Sequence, residues 1–171
     1  MPDSITLKKA RMEDIPHIFS LINAYAEEQI LLPRPLGTLY ETLRDFVIAR
    51  DNEKIIGVGA LHVVWKDLGE IRSLAVVRSY WGKGIGRSIV EFLLQEAREM
   101  AISQVFALTY QPEFFKKCGF KRVPKDIFPH KVWNDCINCI KFPHCDEIAV
   151  MINLGNAEKT VTAFSKRKSA D

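Results

Sequence analysis

The sequence predicts a mixed α/β (α+β) fold in which helices flank a largely antiparallel sheet that contains one parallel strand–helix–strand unit. Short turns separate β-rich segments between Phe46 and Val77, which predicts an antiparallel meander. One apolar stripe runs from Ile85 to Met100 with helical spacing. The buried strand expected at 105–109 follows that helix, so the strands on either side of it should be parallel.

The segment before the meander is expected to contain a short strand and two helices. Residues 5–10 have strand composition, and apolar side chains recur at helical spacing over residues 13–25. Two prolines and a glycine make residues 32–37 a loop. Thr38 is then expected to cap a helix, with Glu41 completing a capping box.

The segment after the parallel unit completes the predicted fold. A short helix is expected at Pro112–Lys117, ended by Gly119, and a last strand at Ile148–Leu154. We expect one domain over residues 1–154, followed by a flexible tail over residues 155–171.

Composition and charge exclude several classes of function. Hydrophobic residues make up 47% and charged residues 26% of the chain, as in ordinary globular proteins. The net charge is +3, and residues 155–171, with four basic and two acidic side chains, contribute +2 of it. The rest of the chain shows no excess of basic residues that would indicate nucleic-acid binding. The longest nearly apolar run, residues 55–65, is too short to cross a membrane. With no signal-peptide pattern at the start, we expect a cytoplasmic protein.

The most informative segment is residues 82–87, which we call the phosphate-binding turn. Its glycines stand at alternate positions between a predicted strand and a predicted helix. Glycine lets the backbone approach a ligand closely, and the positive end of the helix dipole adds to an anion site formed by backbone N–H groups. This combination suits a pyrophosphate. The predicted contacts are Gly82, Lys83, Gly84, Ile85, Gly86 and Arg87.

Two other phosphate-binding motifs fit this segment less well. A Walker A loop requires Lys followed by Ser or Thr after its last glycine, whereas Arg87 and Ser88 follow Gly86. The dinucleotide fingerprint requires G-x-G-x-x-G near the first strand, whereas the spacing here is G-x-G-x-G after several strands. A glycine-rich turn that binds no ligand is the remaining alternative.

Residues 77–87 resemble the acetyl-CoA signature of GNAT acetyltransferases, and residues 114–120 resemble their later segment that ends in Gly-Phe. The resemblance extends over residues 5–154 and implies a GNAT fold, acetyl-CoA as cosubstrate and acetyl transfer to an amine. Two positions depart from the family pattern. Trp81 stands where the family usually has Arg or Gln, and Phe115 stands where it often has a tyrosine general acid.

A narrower resemblance is to the acetyltransferase domain of N-acetylglutamate synthase. It is carried by residues 30–35, 39–50, 69–71 and 108–109. That lineage also lacks the tyrosine, and its amino-acid-kinase domain has no counterpart in this sequence. The resemblance therefore implies a short, stand-alone amino-acid N-acetyltransferase. Its acceptor would be the α-amine of L-glutamate, as in the first step of arginine biosynthesis.

The resemblance also implies catalytic roles, because acetyl transfer needs a free amine, a polarised thioester and a proton for the leaving thiolate. Glu70 matches the general-base position, and a solvated carboxylate at a strand end is the alternative. The backbone of Leu74, Ala75 and Val76 should lie beside the pantetheine arm of the cofactor. Thr109 is the nearest hydroxyl to replace the missing tyrosine, and a strand threonine bonded to backbone is the alternative.

An α-amino acid brings a carboxylate that a guanidinium can bind with two hydrogen bonds. Arg34 lies in the segment that matches the substrate loop of the synthase and is the first candidate. Arg72, on the predicted strand face of Glu70, is the second. Where the synthase has basic residues near its last strand, this chain has Cys145-Asp146-Glu147, which leaves the acceptor open.

Three of the four cysteines lie within ten residues of one another. Cys136, Cys139 and Cys145, with His144, include one CxxC pair and are candidate ligands of a zinc ion. His130 is a further candidate. No second CxxC is present in the sequence, and reduced thiols or one disulfide are the alternatives.

The sequence leaves other functions open. In one alternative the acceptor is a protein, a lysine or a polyamine, and in another the protein is a non-catalytic acetyl-CoA sensor. A polyamine would favour an acidic groove, whereas the candidate loop carries Arg34. The expected partners are acetyl-CoA and a small amino acid, without nucleic acid or membrane, and a homodimer is left open.

Overall fold

The computed structural model describes residues 5–128, 136–139, 141 and 143–155. The expected tail from residue 156 onward and the candidate ligand His130 lie outside these residues. In chain order the elements are β1 (Ile5–Lys9), α1 (Ile15–Glu27), α2 (Leu36–Glu41), β2 (Phe46–Asp51), β3 (Lys54–Trp65), β4 (Leu68–Val76), α3 (Ile85–Glu99), β5 (Gln104–Thr109), α4 (Pro112–Lys117), β6 (Lys121–Arg122) and β7 (Ile148–Asn153).

The seven strands of the described residues form one mixed sheet in the order β1-β2-β3-β4-β5-β7-β6. Every neighbouring pair is antiparallel except β4 and β5, which run parallel on either side of α3 in the chain. The predicted fold class, with its meander and its parallel strand–helix–strand unit, is therefore confirmed. The short strand β6 was not predicted.

The parallel pair of strands separates soon after it begins. β4 and β5 pair only from Leu68 to Glu70, opposite Gln104 to Phe106. Further along, the register of β4 against β3 shifts around Ser73, whose φ is +56°. Such a bulge bends a strand and increases its twist. The second half of β4 is therefore not paired with β5, and a gap opens between them.

Helix α3 packs against β3 because that strand carries two glycines. A Cβ atom on Gly57 would lie 2.9 Å from Cδ1 of Ile89, and one on Gly59 would lie 2.7 Å from Cγ2 of the same side chain. Both contacts are shorter than real Cβ atoms allow. The glycines therefore let the apolar face of α3 lie close to the sheet.

Helix α1 covers the opposite face of the sheet with Ile15, Ile18 and Ile22, all fully buried. Just before it lies Asp14, whose side chain is 1% exposed and forms an ion pair with Arg50 of β2. Its carboxylate also accepts a hydrogen bond from the backbone N–H of Arg11 at 2.8 Å. A buried carboxylate is retained only where such partners compensate its lost hydration.

The predicted cap of the second helix is wrong. Helix α2 begins at Leu36 after Pro35, so Thr38 lies inside it and Glu41 is its last residue. The carbonyl of Thr38 accepts hydrogen bonds from the backbone N–H and the hydroxyl of Thr42. Pro35, the residue before the helix, is extended, with φ −60° and ψ 144°, and its carbonyl accepts the N–H of Leu39 at 3.2 Å, so the helix begins without a side-chain cap.

None of the helices in the described ranges has the length and apolarity needed to span a membrane.

Candidate active site

The gap between the separated strands opens into a cavity of about 480 Å³. Residues 71–76 of β4 form one wall, and residues 108–111 at the end of β5 form the other. The phosphate-binding turn closes one end, and Tyr25 of α1 contributes a third side. The cavity therefore lies where the strand separation and the start of α3 meet.

The structure places eight of the nine predicted cofactor contacts on the wall of this cavity. They are Leu74, Ala75, Val76, Gly82, Gly84, Ile85, Gly86 and Arg87. Lys83 is the exception, because it does not line the cavity. Its ammonium lies 4.7 Å from the centroid of the Tyr80 ring.

The glycines of the turn differ in what they do. Gly82 and Gly84 have φ values of +75° and +83°, a region that side chains other than glycine rarely adopt. A Cβ atom on Gly84 would meet no atom within 4 Å, so a side chain there would enter the cavity. Gly86 lies in the first turn of α3, where a Cβ atom would lie 3.3 Å from the Phe114 ring. The bare backbone at Gly82 and Gly84 therefore fits a pyrophosphate group, whereas Gly86 mainly permits close packing.

Glu70 is buried beside an arginine that lines the cavity. Its side chain is 5% exposed, and Oε2 lies 3.2 Å from the guanidinium of Arg72. Arg72 contributes to the cavity wall, whereas Glu70 does not. The alternative of a solvated carboxylate at a strand end does not hold, because the carboxylate is buried. Opposite Glu70 on β3 is His62, whose Nδ1 lies 2.7 Å from Asp45.

Two consecutive residues at the end of β5 carry hydroxyl groups. Thr109 lines the cavity, and its hydroxyl oxygen accepts a hydrogen bond from the backbone N–H of Gln111 at 2.8 Å. Tyr110 also lines the cavity and donates its phenol hydrogen to Asp146 at 2.7 Å. Tyr110 was not predicted from the sequence. Its position directly after a strand that should end at the active site is the signal that would have indicated it.

The backbone of Arg34 is hydrogen-bonded to the side chain of Asn23 in α1. The side-chain amide of Asn23 donates to the carbonyl of Arg34 and accepts from its N–H, both at 3.1 Å. Ile30 and Leu31, from the same loop, line the cavity, but the Arg34 side chain is not part of its wall. Of the two predicted carboxylate-binding arginines, the structure therefore brings Arg72 to the cavity.

Two ionisable groups near the cavity have shifted pKa values. The hydrogen bond from Tyr80 to Asp51 raises the pKa of the Tyr80 phenol above its usual value, so the phenol stays neutral. The hydrogen bond from Lys141 lowers the pKa of Asp146, so this carboxylate stays negatively charged beside Tyr110. Lys141 also lies 4.4 Å from the centroid of the Tyr110 ring.

The zinc site is not supported. The four ligands of the cysteine cluster, Cys136, Cys139, His144 and Cys145, belong to the described residues, and no three His, Cys, Asp or Glu side chains there lie close enough to hold a metal ion. His144 is exposed, and the Cys145 sulfur lies 3.7 Å from the Glu147 carboxylate. No disulfide joins cysteines in this part of the chain. Closeness in sequence therefore did not bring these ligands together in space.

The sequence profile of the acetyltransferase (GNAT) family matches residues 12–120. The match includes the separated strands and the phosphate-binding turn that form the cavity. The chain therefore belongs to the GNAT acetyltransferase family, and the sequence resemblance is confirmed.

Two relatives are similar over most or all of their length. An uncharacterized N-acetyltransferase of Chlorobaculum tepidum is 40% identical over 155 residues, which cover 90% of this chain and 100% of the relative. An amino-acid acetyltransferase of Mycobacterium tuberculosis is 45% identical over 120 residues, which cover 68% of each chain.

Two solved structures share the fold. A Mycobacterium tuberculosis protein in complex with CoA has a TM-score of 0.76 and 35% identity, with 88% of this chain and 99% of that chain covered. The N-acetylglutamate synthase of Neisseria gonorrhoeae, in complex with CoA and N-acetyl-glutamate, has a TM-score of 0.79 and 27% identity. The alignment covers 89% of this chain and 35% of the synthase, so the similarity is to one part of that protein.

Proposed function

We propose that the protein transfers the acetyl group of acetyl-CoA to the α-amine of an amino acid, with L-glutamate as the first candidate acceptor and arginine biosynthesis as the pathway. The name of the Mycobacterium tuberculosis relative, amino-acid acetyltransferase, supports the substrate class. The Neisseria gonorrhoeae synthase structure, which contains N-acetyl-glutamate, supports glutamate.

The observation that carries this proposal is the position of Arg72 beside Glu70 at the cavity wall. Arg72 lines the cavity, and its guanidinium can bind the carboxylate of an amino acid. The buried carboxylate of Glu70, 3.2 Å from that guanidinium, can accept a proton from the substrate ammonium through a bridging water. The group that would recognise an α-amino acid, the guanidinium of Arg72, therefore lies in contact with the group that would activate its amine, the carboxylate of Glu70.

The geometry of the cavity supports the remaining roles that we propose. When bound, acetyl-CoA supplies the thioester carbon that the amine attacks. The backbone at Gly82 and Gly84 binds the pyrophosphate, and the N–H groups of residues 74–76 bind the pantetheine arm and polarise the thioester carbonyl. Thr109 or Tyr110 gives a proton to the leaving thiolate, because both residues line the cavity and carry a hydroxyl group.

One observation favours an acceptor other than glutamate. Glu147 lines the cavity on the β7 side, where it adds a carboxylate near the proposed acceptor site. A second carboxylate on the acceptor would be repelled there, whereas a neutral or cationic side chain would not. The alternative function is therefore acetylation of another amino acid or of another amine.

The experiment that tests the proposal is a thiol-release assay with acetyl-CoA and each of the twenty amino acids, with polyamines and lysine-containing peptides as further acceptors. Turnover with glutamate above the other acceptors is expected. Turnover with a neutral amino acid instead would retain the substrate class and replace glutamate. Turnover only with polyamines or peptides, or binding of acetyl-CoA without turnover on any amine, would contradict the proposal.

A further inference from the structure

Trp81 is a large exposed aromatic side chain at the entrance of the phosphate-binding turn. It is 52% exposed, yet it lines the cavity together with Tyr25. The two rings stack with their centroids 6.3 Å apart and their planes 21° apart. We call these two side chains the aromatic shelf. An exposed aromatic surface at the wall of a cavity is typical of a ligand contact.

Hydrogen bonds hold both rings of the aromatic shelf. The indole N–H of Trp81 and the phenol of Tyr25 donate to the same acceptor, the carbonyl of Val76, at 2.6 and 2.7 Å. The guanidinium of Arg78 lies 5.3 Å from the Trp81 ring and 5.9 Å from the Tyr25 ring, and it pairs with Glu28. The polar atoms of both rings are thus bound within the protein, and the surface that they present to a ligand is apolar and already ordered.

The position of the aromatic shelf indicates which part of the cosubstrate it contacts. It lies between Gly82, where the pyrophosphate site begins, and Val76, the end of the strand beside the thioester site. In coenzyme A the pantetheine arm connects these two groups, and its methyl and methylene groups carry no charge. The adenine ring lies beyond the pyrophosphate and so away from the strand end that the aromatic shelf contacts.

We propose that the aromatic shelf binds the pantetheine arm by van der Waals contact. In this chain an apolar surface therefore takes the place of the Arg or Gln side chain that the family pattern has at position 81. The inference rests on the proposed function, since it takes acetyl-CoA as the ligand. It assigns a binding role to Trp81 and Tyr25 that does not depend on which amine is acetylated.

Isothermal titration calorimetry with three ligands tests this role: CoA, pantetheine, and adenosine 3′,5′-bisphosphate, which lacks the arm. Trp81→Ala should weaken CoA binding about tenfold, because apolar contact is worth roughly 25 cal/mol per Å². It should weaken pantetheine binding similarly and leave binding of the bisphosphate unchanged. Trp81→Phe, which keeps an apolar ring, should retain most of the CoA affinity. Circular dichroism of each variant confirms its fold.

A fluorescence titration of the unmodified protein provides a second readout. CoA should quench tryptophan emission, and Trp81→Phe should remove that quenching. Trp65→Phe is the matched control, because Trp65 is 48% exposed and lies outside the cavity wall. This variant should retain the quenching.

Three results would overturn the inference: unchanged CoA affinity in Trp81→Ala, equal losses for CoA and the bisphosphate, or a loss for the bisphosphate alone. The last would assign Trp81 to the adenine ring. Failure of the proposed function gives a different result, since CoA would then bind without acetylation of any amino acid.

Discussion

The carboxylate of Glu70 lies 3.2 Å from the guanidinium of Arg72, two residues further along β4 and on the same face of the sheet. Only Arg72 reaches the cavity wall. The carboxylate of Glu70 is thus shielded from bulk water and lies beside the guanidinium of a residue that lines the cavity.

Glu70→Gln should fold normally and reduce kcat by about 10²–10⁴ near neutral pH, the usual contribution of a positioned acid or base. The reduction should shrink at high pH, where the acceptor amine is already deprotonated. Steady-state kinetics from neutral to alkaline pH measure both effects. Glu41→Gln, at an exposed position, is the control. Turnover close to that of the unmodified protein at neutral pH would remove Glu70 from the mechanism.

Arg72→Lys keeps the positive charge beside Glu70 but cannot donate two parallel hydrogen bonds to a carboxylate. The KM for the amino acid should rise on the order of 10- to 150-fold, while the KM for acetyl-CoA changes little. Arg34→Ala should have a smaller effect, because its side chain is not part of the cavity wall. A larger rise in Arg34→Ala would transfer carboxylate binding to Arg34.

Thr109→Val and Tyr110→Phe each remove one hydroxyl from the cavity wall. The variant that lacks the general acid should lose about 10²–10⁴ in kcat, and the other should stay near the unmodified rate. Thr109→Val should also cost some stability, because Thr109 accepts the backbone N–H of Gln111. Kinetics and thermal unfolding of both variants separate these effects. Near-normal turnover in both would mean that neither hydroxyl protonates the thiolate.

Gly84→Ala tests the phosphate-binding turn. The φ of +83° disfavours any side chain, and the new methyl group would enter the cavity, so CoA affinity should fall about tenfold or more. Calorimetry measures the affinity. Gly37→Ala is the control, because Gly37 also has no neighbour within 4 Å of a Cβ atom but lies outside the cavity wall. Unaltered CoA affinity in a folded Gly84→Ala would exclude this turn as the cofactor site.

Asp14→Ala should destabilise the protein by about 3–5 kcal/mol, because it leaves the largely buried Arg50 without its buried partner. Glu53 provides the control, since it lies 3.8 Å from the same guanidinium but is fully exposed. Glu53→Ala should leave the stability unchanged. Urea unfolding measures both. Equal stability of the two variants would show that the buried pair contributes nothing.

Most of the fold could be predicted from local patterns. The antiparallel meander, the helix from Ile85 and the parallel relation of β4 and β5 depend on periodicity and chain order, and the structure confirms each. Prediction was weaker where elements are short. The start of α2 depends on the backbone of Pro35 and not on the hydroxyl of Thr38, and β6 has only two residues.

The sequence by itself determined the family and the fold class, and it predicted the phosphate-binding turn, because glycine spacing and apolar periodicity are local properties of the chain. The tertiary structure decided which residues share the cavity. It placed Arg72 and Tyr110 on the wall, buried Glu70 beside Arg72, and left the cysteine cluster without a metal geometry in the described residues. These outcomes depend on the bulge at Ser73 and on the separation of β4 from β5, which bring together residues distant in sequence. The spacing of these residues along the sequence does not predict that they lie close together in the fold.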